Sequence, residues 1–453
     1  MDVLLLRPPR RNPHDAGLCV PPMGLAYVAG ALRAAGHRVD ILDALALSWS
    51  WRRLESELAR RRPEVLGLSA MTPVADIAAR AAQLARPYVG RIVLGGPHPT
   101  AVRRAVFEAS PALDAAVVGE GEGPAVALMN WWSSSSGAPP PPGVLVPGQP
   151  FTEATPPADL TTLPPPARDL LPNSAYRYLF ATRRGFGTMI TSRGCPFRCS
   201  FCDKSVSGSR WRARPAVHVV DELETMRKQH GIRFVNFYDD NFTLQRSRVA
   251  AICEEILRRG LDIEWKCEGR VDGVDLPLLK LMRRAGCRVV AYGVESANPE
   301  TLALLRKDIT VEQSVEAFAL TRQARLRSLA YMIIGAPGED AAAVRQSVSF
   351  CREIGADYVQ FSSLVAMPGT PLFAQHGGSS AASVTNPLDA DLGRATVTDL
   401  PPDELARLMR SAWRGFYLRP RPMRRLAVDA VRSGSIGEAV RLTRAWASWS
   451  LSS

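Results

Sequence analysis

At 453 residues the chain is longer than one ordinary hydrophobic core holds together, so two domains and an appendage are expected. Hydrophobic residues make up 46% and charged residues 22%, a profile that excludes a disordered or fibrous chain. The net charge of +12 raises nucleic-acid binding, but its arginines are scattered through every segment with no basic run interleaved with aromatics, which argues against it.

No run approaches the roughly 18–20 apolar residues of a membrane span. The opening Met1-Asp2-Val3-Leu4-Leu5-Leu6 carries an acid where a signal peptide carries positive charge, and reads as a strand in a cytoplasmic protein. From there, strands are expected at 3–6, 39–42, 65–69, 91–94 and 115–118, with helices at 24–35, 51–62 and 75–85 between them. Strands alternating with helices predict a Rossmann-like, doubly wound parallel sheet over residues 1–130, with a ligand site at the carboxyl ends of its strands. The low-complexity stretch around Ser133–Ser136 and the prolines at 139–142 and 164–166 predict a connector at 131–180 that crosses the surface.

The strand–helix rhythm resumes over 181–375. Strands are expected at 189–192, 234–238, 263–267, 289–294, 330–334 and 358–362, and six such units suit a partial (β/α)6 TIM-like barrel. A linker at 376–398 and a small helical region at 399–453, with helices at 402–419 and 423–449, complete the chain. No repeat of 20–50 residues interrupts this order. The last helix alternates Arg with apolar residues; packing on the barrel is the expectation, and a peripheral membrane contact is the alternative.

Eight cysteines in so long a chain do not make a disulfide scaffold. Cys19, Cys253, Cys267, Cys287 and Cys351 are dispersed in apolar or helical contexts and read as buried hydrophobes. Cys195, Cys199 and Cys202 are different: they form C-x3-C-x2-C on a loop that follows a strand. Thiolates are the standard ligands of iron–sulfur clusters. A structural zinc site would want a fourth ligand, and the nearest candidate, His218, lies beyond a basic stretch. An iron–sulfur cluster is therefore the favoured reading, with zinc or unrelated cysteines as alternatives.

The segment Thr191-Ser192-Arg193-Gly194-Cys195-Pro196-Phe197-Arg198-Cys199-Ser200-Phe201-Cys202 resembles the signature loop of the radical S-adenosylmethionine superfamily. The resemblance implies a 4Fe–4S cluster on the three cysteines, with one open iron that chelates S-adenosylmethionine and cleaves it to a 5'-deoxyadenosyl radical. It further implies S-adenosylmethionine contacts from Phe201, from Asp239 and Asp240, from Glu268 and Arg270, from Glu295 and Ser296, and from Gly335 and Pro337, each near a successive strand end.

In the first domain no G-x-G-x-x-G follows the first strand, so a dinucleotide site is not indicated. Instead Pro22 and Gly24, Ser69 and Thr72, Gly95, Gly96 and His98, and Gly119, Glu120 and Gly121 lie at strand ends or beside them. This set resembles the B12-binding domain that precedes many radical S-adenosylmethionine cores, and implies that these residues line a cobalamin site. Strict D-x-H-x-x-G is absent; residues 12–17 approximate it, and His14 reads as a loop histidine rather than a cobalt ligand.

The combined resemblance implies a cobalamin-dependent enzyme that methylates an unactivated carbon of a small-molecule substrate through a 5'-deoxyadenosyl radical and methylcobalamin. An external flavodoxin- or ferredoxin-type electron donor is then required. A radical cyclase of the anaerobic porphyrin type is the runner-up. A tRNA methylthiotransferase ranks below it, since only Cys19 is available in the first domain for a second cluster.

Overall fold

The structure is a computed structural model and describes residues 1–11, 19–134, 137–376, 397–437, 439–441 and 443. Two six-stranded sheets organise it. The first contains β1 (Asp2–Arg7), β2 (Arg38–Asp43), β3 (Val65–Ser69), β4 (Arg91–Gly95), β5 (Ala115–Val117) and β6 (Val144–Leu145), in the order β2-β1-β3-β4-β5-β6. The first five strands run parallel, so their carboxyl ends form one edge. Both faces are covered, which is why β1 is a continuous apolar run. Val3 and Leu5 pack toward helix Met23–Ala34, while Leu4 and Leu6 pack in a second cluster with Leu54, Leu58, Ala78 and Ala82 of the helices on the other face.

The connector departs from expectation. It does not simply cross the surface, because β6 adds antiparallel to β5, pairing Ala116 with Leu145. Leu160 is buried, and Ala167, Leu171, Tyr176, Tyr178 and Ala181 join the core cluster that holds Met23 and Tyr27 of the first domain with Phe186 and Phe234 of the second. Ala167 donates its N–H to the Ala26 carbonyl at 2.9 Å, and Gly30 lacks the Cβ that would strike the Pro165 carbonyl. Short apolar pairs set among prolines carry no periodicity, so sequence pattern alone does not reveal such burial.

The second sheet begins with β7 (Phe186–Met189). A two-residue antiparallel pair, β8 (Ser192–Arg193) and β9 (Arg212–Ala213), follows and brackets the cysteine loop, then β10 (Phe234–Phe237), β11 (Glu264–Gly269), β12 (Cys287–Glu295), β13 (Arg327–Ile334) and β14 (Tyr358–Ser363). Its order β7-β10-β11-β12-β13-β14 is all parallel and makes a curled half-barrel. The first barrel strand lies three residues earlier than expected. Thr191 leaves the sheet because its N–H and hydroxyl both go to the Asp239 carboxylate, at 2.6 Å each. Alternation sorts the rest: Trp265, Cys267, Val290, Tyr292, Met332 and Ile334 face the outer helices, while Val289, Ala291, Leu329 and Tyr358 fill the inner floor.

Helix Pro402–Tyr417 packs Leu405, Met409, Ala412 and Phe416 onto the barrel, and the Tyr417 hydroxyl donates to the Val359 carbonyl at 2.6 Å. A further helix spans Pro420–Ser433 and stops at Gly434, whose φ of +70° suits a left-handed cap. The helix expected at 423–449 is thus interrupted at residues 434–435; helical backbone resumes at 436, and its last residues, like His14 and most of the 376–398 linker, lie outside the described residues. No helix among the described residues is long and apolar enough to cross a membrane.

Candidate active site between the two sheets

The cysteine loop is fixed from several directions. Gly194 adopts φ +85°, and a side chain there would collide with the Arg210 carbonyl. Its N–H is held at 2.9 Å by the Asp240 carboxylate at the end of β10. Ser200 donates its N–H to Leu305 and accepts, through its carbonyl, the N–H of Leu372, both at 2.9 Å. Arg270 lies 3.6 Å over the Phe197 ring, and its guanidinium also holds the Lys307 and Asp308 carbonyls at 2.8 and 2.9 Å.

All eight cysteines are free thiols, including the three on this loop. Among the described residues no trio of His, Cys, Asp or Glu closes around a single-ion position. The C-x3-C-x2-C sequence spacing suits a cuboidal cluster, whose thiolates bind separate irons. Burial raises the Cys199 thiol above its usual value, and burial together with Cys199 pushes Cys202 up to about 12. Three cysteines on one loop, two of them half-buried and Cys199 buried, form a donor set that fits a metal cluster once the thiols are deprotonated.

Around this loop the strand ends are braced against one another. Glu295 ends β12 at φ +66°, a strained value for a side-chain-bearing residue, and accepts from Lys307 Nζ at 2.6 Å. Burial disfavours the charge on Lys307, yet Glu295 outweighs it and holds that ammonium above its usual value. Glu339 accepts the Gly335 and Ala336 N–H groups at 2.9 and 3.0 Å, and Ser296 and Thr301 reach its other oxygen. Pro337 sits half-buried in the same loop. Phe201 packs beside Leu305, Ile333, Ala336 and Leu364.

Inside the barrel Glu268 accepts from Lys266 Nζ at 2.9 Å and from the Tyr331 hydroxyl at 3.0 Å. Lys266 is fully buried, with Asn236 Oδ1 at 3.4 Å. Asn236 Nδ2 and Thr188 Oγ1, on neighbouring inward positions, are buried without a protein partner among the described residues. These groups form a polar layer above the apolar floor.

On the first domain, Gly96 takes φ +96°, and an added Cβ would stand 2.7 Å from Ser69 Oγ. Bare backbone at this point is what lets β3 and β4 end side by side, with the His98 N–H on the Ala70 carbonyl at 2.9 Å. His98 is buried with Nδ1 3.3 Å from the Thr72 hydroxyl, and burial lowers its pKa, so the ring is neutral near pH 7. Thr100 accepts the Gly119 N–H at 3.0 Å. Gly24 and Gly119 border open space, and a Cβ on either would meet nothing within 4 Å. Gly95 and Gly121 pack inward against Val117, and Pro22 caps helix Met23–Ala34. This edge offers exposed backbone to a large ligand, which fits cobalamin.

The two ligand edges face each other. Glu120 and Glu122 lie just past β5, and Arg193 Nη1 reaches Glu120 at 2.7 Å while Nη2 reaches Glu122 at 2.5 Å. Arg212 of β9 pairs with Glu120 as well. Tyr27 donates to the Ile190 carbonyl at 3.1 Å, and Ala101 lies against Gly369.

A B12 binding domain model matches residues 14–129, and a radical SAM superfamily model matches residues 189–351. An uncharacterized methyltransferase of Pyrococcus horikoshii is 32% identical over 439 residues, covering 93% of this chain and 93% of its own. The chain belongs to the cobalamin-binding radical SAM family. The anaerobic magnesium-protoporphyrin IX monomethyl ester cyclase of Rubrivivax gelatinosus is 30% identical over 397 residues, covering 83% of this chain and 70% of its own. The solved structure of the cobalamin-dependent S-adenosylmethionine radical enzyme OxsB superimposes with a TM-score of 0.74 at 16% identity, over 98% of this chain and 72% of that one, which is a likeness of fold.

This radical SAM enzyme accordingly uses a 4Fe–4S cluster, S-adenosylmethionine and cobalamin. The structure gathers Cys195, Cys199, Cys202, Phe201, Asp240, Arg270 and Glu295 around one loop, directly or through one intermediate residue. Asp239 is instead spent on Thr191 and Ser192, and Glu268 lies within the polar layer of the barrel. Glu120 is turned toward Arg193 and Arg212. Arg193, Arg212, Lys307, Lys266 and Tyr331 escaped sequence reasoning. Only Arg193, inside the cysteine motif, carried a local signal.

Proposed function

We propose that this protein transfers a methyl group to an unactivated carbon of a small-molecule substrate. The observation that carries the reading is the juxtaposition of the two ligand edges through Arg193, Glu120 and Glu122. A substrate between them is within reach of both cofactors. When bound, the cluster and S-adenosylmethionine supply a radical initiator, and cobalamin supplies a methyl carrier.

The chain's own task is positioning and exclusion of water. Cys195, Cys199 and Cys202 hold the cluster. Glu295, Ser296, the 335–337 loop and Phe201 border the S-adenosylmethionine site, while Asp240 and Arg270 hold the cysteine loop in register. The backbone at Ser69, Gly95, Gly96 and Gly119, with Pro22, Gly24, Thr72, His98 and Gly121 around it, receives cobalamin. The substrate rests above Lys266, Glu268 and Tyr331, where the unpartnered Asn236 and Thr188 donors favour a ligand that presents oxygen acceptors. The electron required comes from an external flavodoxin- or ferredoxin-type donor. The five cysteines outside the cluster trio, all buried and unbridged, support a reducing, cytoplasmic location.

The near-equal coverage shared with the Pyrococcus methyltransferase supports methyl transfer, while the cyclase relative supports a radical oxidation as the second reading. Anaerobic reconstitution with iron, sulfide and hydroxocobalamin, followed by product analysis against candidate substrates, separates them. Equal S-adenosylhomocysteine and 5'-deoxyadenosine is the expected result. Deoxyadenosine without S-adenosylhomocysteine favours the cyclase, and failure to retain cobalamin refutes both.

A further inference from the structure

Helix Pro420–Ser433 presents an apolar face to solvent instead of to the core. Its inner side, with Pro422, Asp429, Ala430 and Ser433, is buried on the barrel. Outward, Met423, Ala427 and Val431 follow one another at i, i+4, i+8, and Arg424, Val428 and Arg432 form the adjacent row. Exposure is 54% at Met423, 41% at Val428 and 62% at Val431, and Leu418, Ile436 and Val440, which flank the helix along the chain, are exposed to 56%, 54% and 45%. Six of the protein's twelve exposed large hydrophobic residues thus fall within this short stretch among the described residues, too concentrated for random scatter.

Beside the patch opens a recess of about 340 Å³ lined by Arg327, Arg421, Arg424, Arg425 and Val428. Arg327 pairs with Asp429 at 2.6 Å, Arg425 pairs with Asp357, and Arg421 approaches Asp357 only to 3.9 Å. Arg424 has no ion pair among the described residues. Four guanidinium groups against two carboxylates leave the recess cationic, and guanidinium is the side chain best shaped for phosphate oxygens.

We propose that this face docks on an anionic phospholipid surface, with a head-group phosphate in the arginine recess and the Met423–Ala427–Val431 row entering the interface. Both halves are needed for stable peripheral binding: apolar burial supplies area, and the arginines supply attraction to anionic lipid. Arg327 opens β13 and Asp357 immediately precedes β14, so the docking face is at the amino end of the barrel. The cysteine loop is at the carboxyl end, and docking leaves it facing away from the lipid.

The test is sedimentation of the full-length protein with vesicles of phosphatidylcholine alone or of phosphatidylcholine mixed with phosphatidylglycerol, at low and high salt. Binding to the anionic vesicles only, weakened by salt, is expected. Arg421→Gln with Arg424→Gln lowers partitioning about thirtyfold, equivalent to roughly 1 kcal/mol per arginine. Met423→Glu with Val431→Glu abolishes binding while the far-ultraviolet circular dichroism is unchanged. Equal binding to neutral vesicles, no binding, or indifference to these variants overturns the proposal. So does a dimer dissolved by Val431→Glu, which makes the face a self-interface. A thermal shift by inorganic phosphate without vesicle binding makes the recess a free-phosphate site, and also overturns it.

Discussion

Arg193 Nη1 and Glu120 Oε2 stand 2.7 Å apart and belong to different domains. Arg193 is two residues before the first cluster cysteine, and Glu120 lies where the first sheet ends. With Glu122 and Arg212 they form a buried network of two acids and two arginines. Buried pairs gain little net stability after desolvation, but breaking one is expensive, so the network acts chiefly to fix geometry.

Glu120→Gln removes one carboxylate from two buried arginines and is expected to cost about 3–5 kcal/mol in urea unfolding. In the loaded enzyme, methyl transfer falls more than 5'-deoxyadenosine formation, because the cysteine loop keeps its own supports. A parallel fall in both rates contradicts a positioning role.

Replacing Cys195, Cys199 or Cys202 with Ala should abolish the brown cluster absorbance and all 5'-deoxyadenosine. The loop's hydrogen bonds run through Gly194, Ser200 and Arg270, so the apo-protein keeps its melting temperature within a few degrees. Residual deoxyadenosine in any single variant refutes the cluster assignment.

Gly96→Ala imposes a side chain at φ +96° and 2.7 Å from Ser69 Oγ. A loss of about 1–3 kcal/mol is expected. Since the same backbone borders the cobalamin edge, cobalamin retained through gel filtration should fall as well. Gly24→Ala, which meets nothing within 4 Å and has no such strain, separates the effects: it should retain stability while reducing cobalamin retention.

Glu222 ties the barrel to the connector through Arg168 at 2.6 Å and also pairs with Arg214. Burial alone would push its carboxyl up, but Arg168 and Arg214 outweigh burial and hold it below the usual 4.5. A depressed carboxylate contributes stability above its unfolded pKa and loses it as pH falls through the folded value. Melting temperatures of wild type and Glu222→Gln should therefore differ most near neutrality and converge below pH 4.5. A gap that widens on acidification contradicts this.

Lys266→Met deletes the fully buried ammonium but leaves Glu268 its Tyr331 hydrogen bond, so a modest cost of about 1–3 kcal/mol is expected. If this layer seats the substrate, the variant makes 5'-deoxyadenosine without matching methylated product. Unchanged coupling places the substrate elsewhere.

Much of the architecture was legible from local pattern. Residues 65–69 read as a strand and 75–85 as a helix with the observed bounds, because both carry periodicity that covering layers demand. Connector burial and the shift of the first barrel strand were not legible. Ala167 and Tyr176 are buried by partners distant in sequence, and Thr191 turns out of the sheet for the sake of Asp239.

By itself the sequence determined the chemistry that requires adjacent residues: three thiolates on one loop, glycines at strand ends and two successive strand–helix rhythms. Those signals are local because ligand spacing and hydrophobic period are set along the chain. Only the tertiary structure decided that Arg193 answers Glu120 across the domains, that Lys266 and Tyr331 share Glu268, and that helix Pro420–Ser433 turns Met423 and Val431 to solvent. Each depends on which surfaces meet after folding. A side chain's partner is chosen there by proximity in space, and nothing in its neighbours along the chain records it.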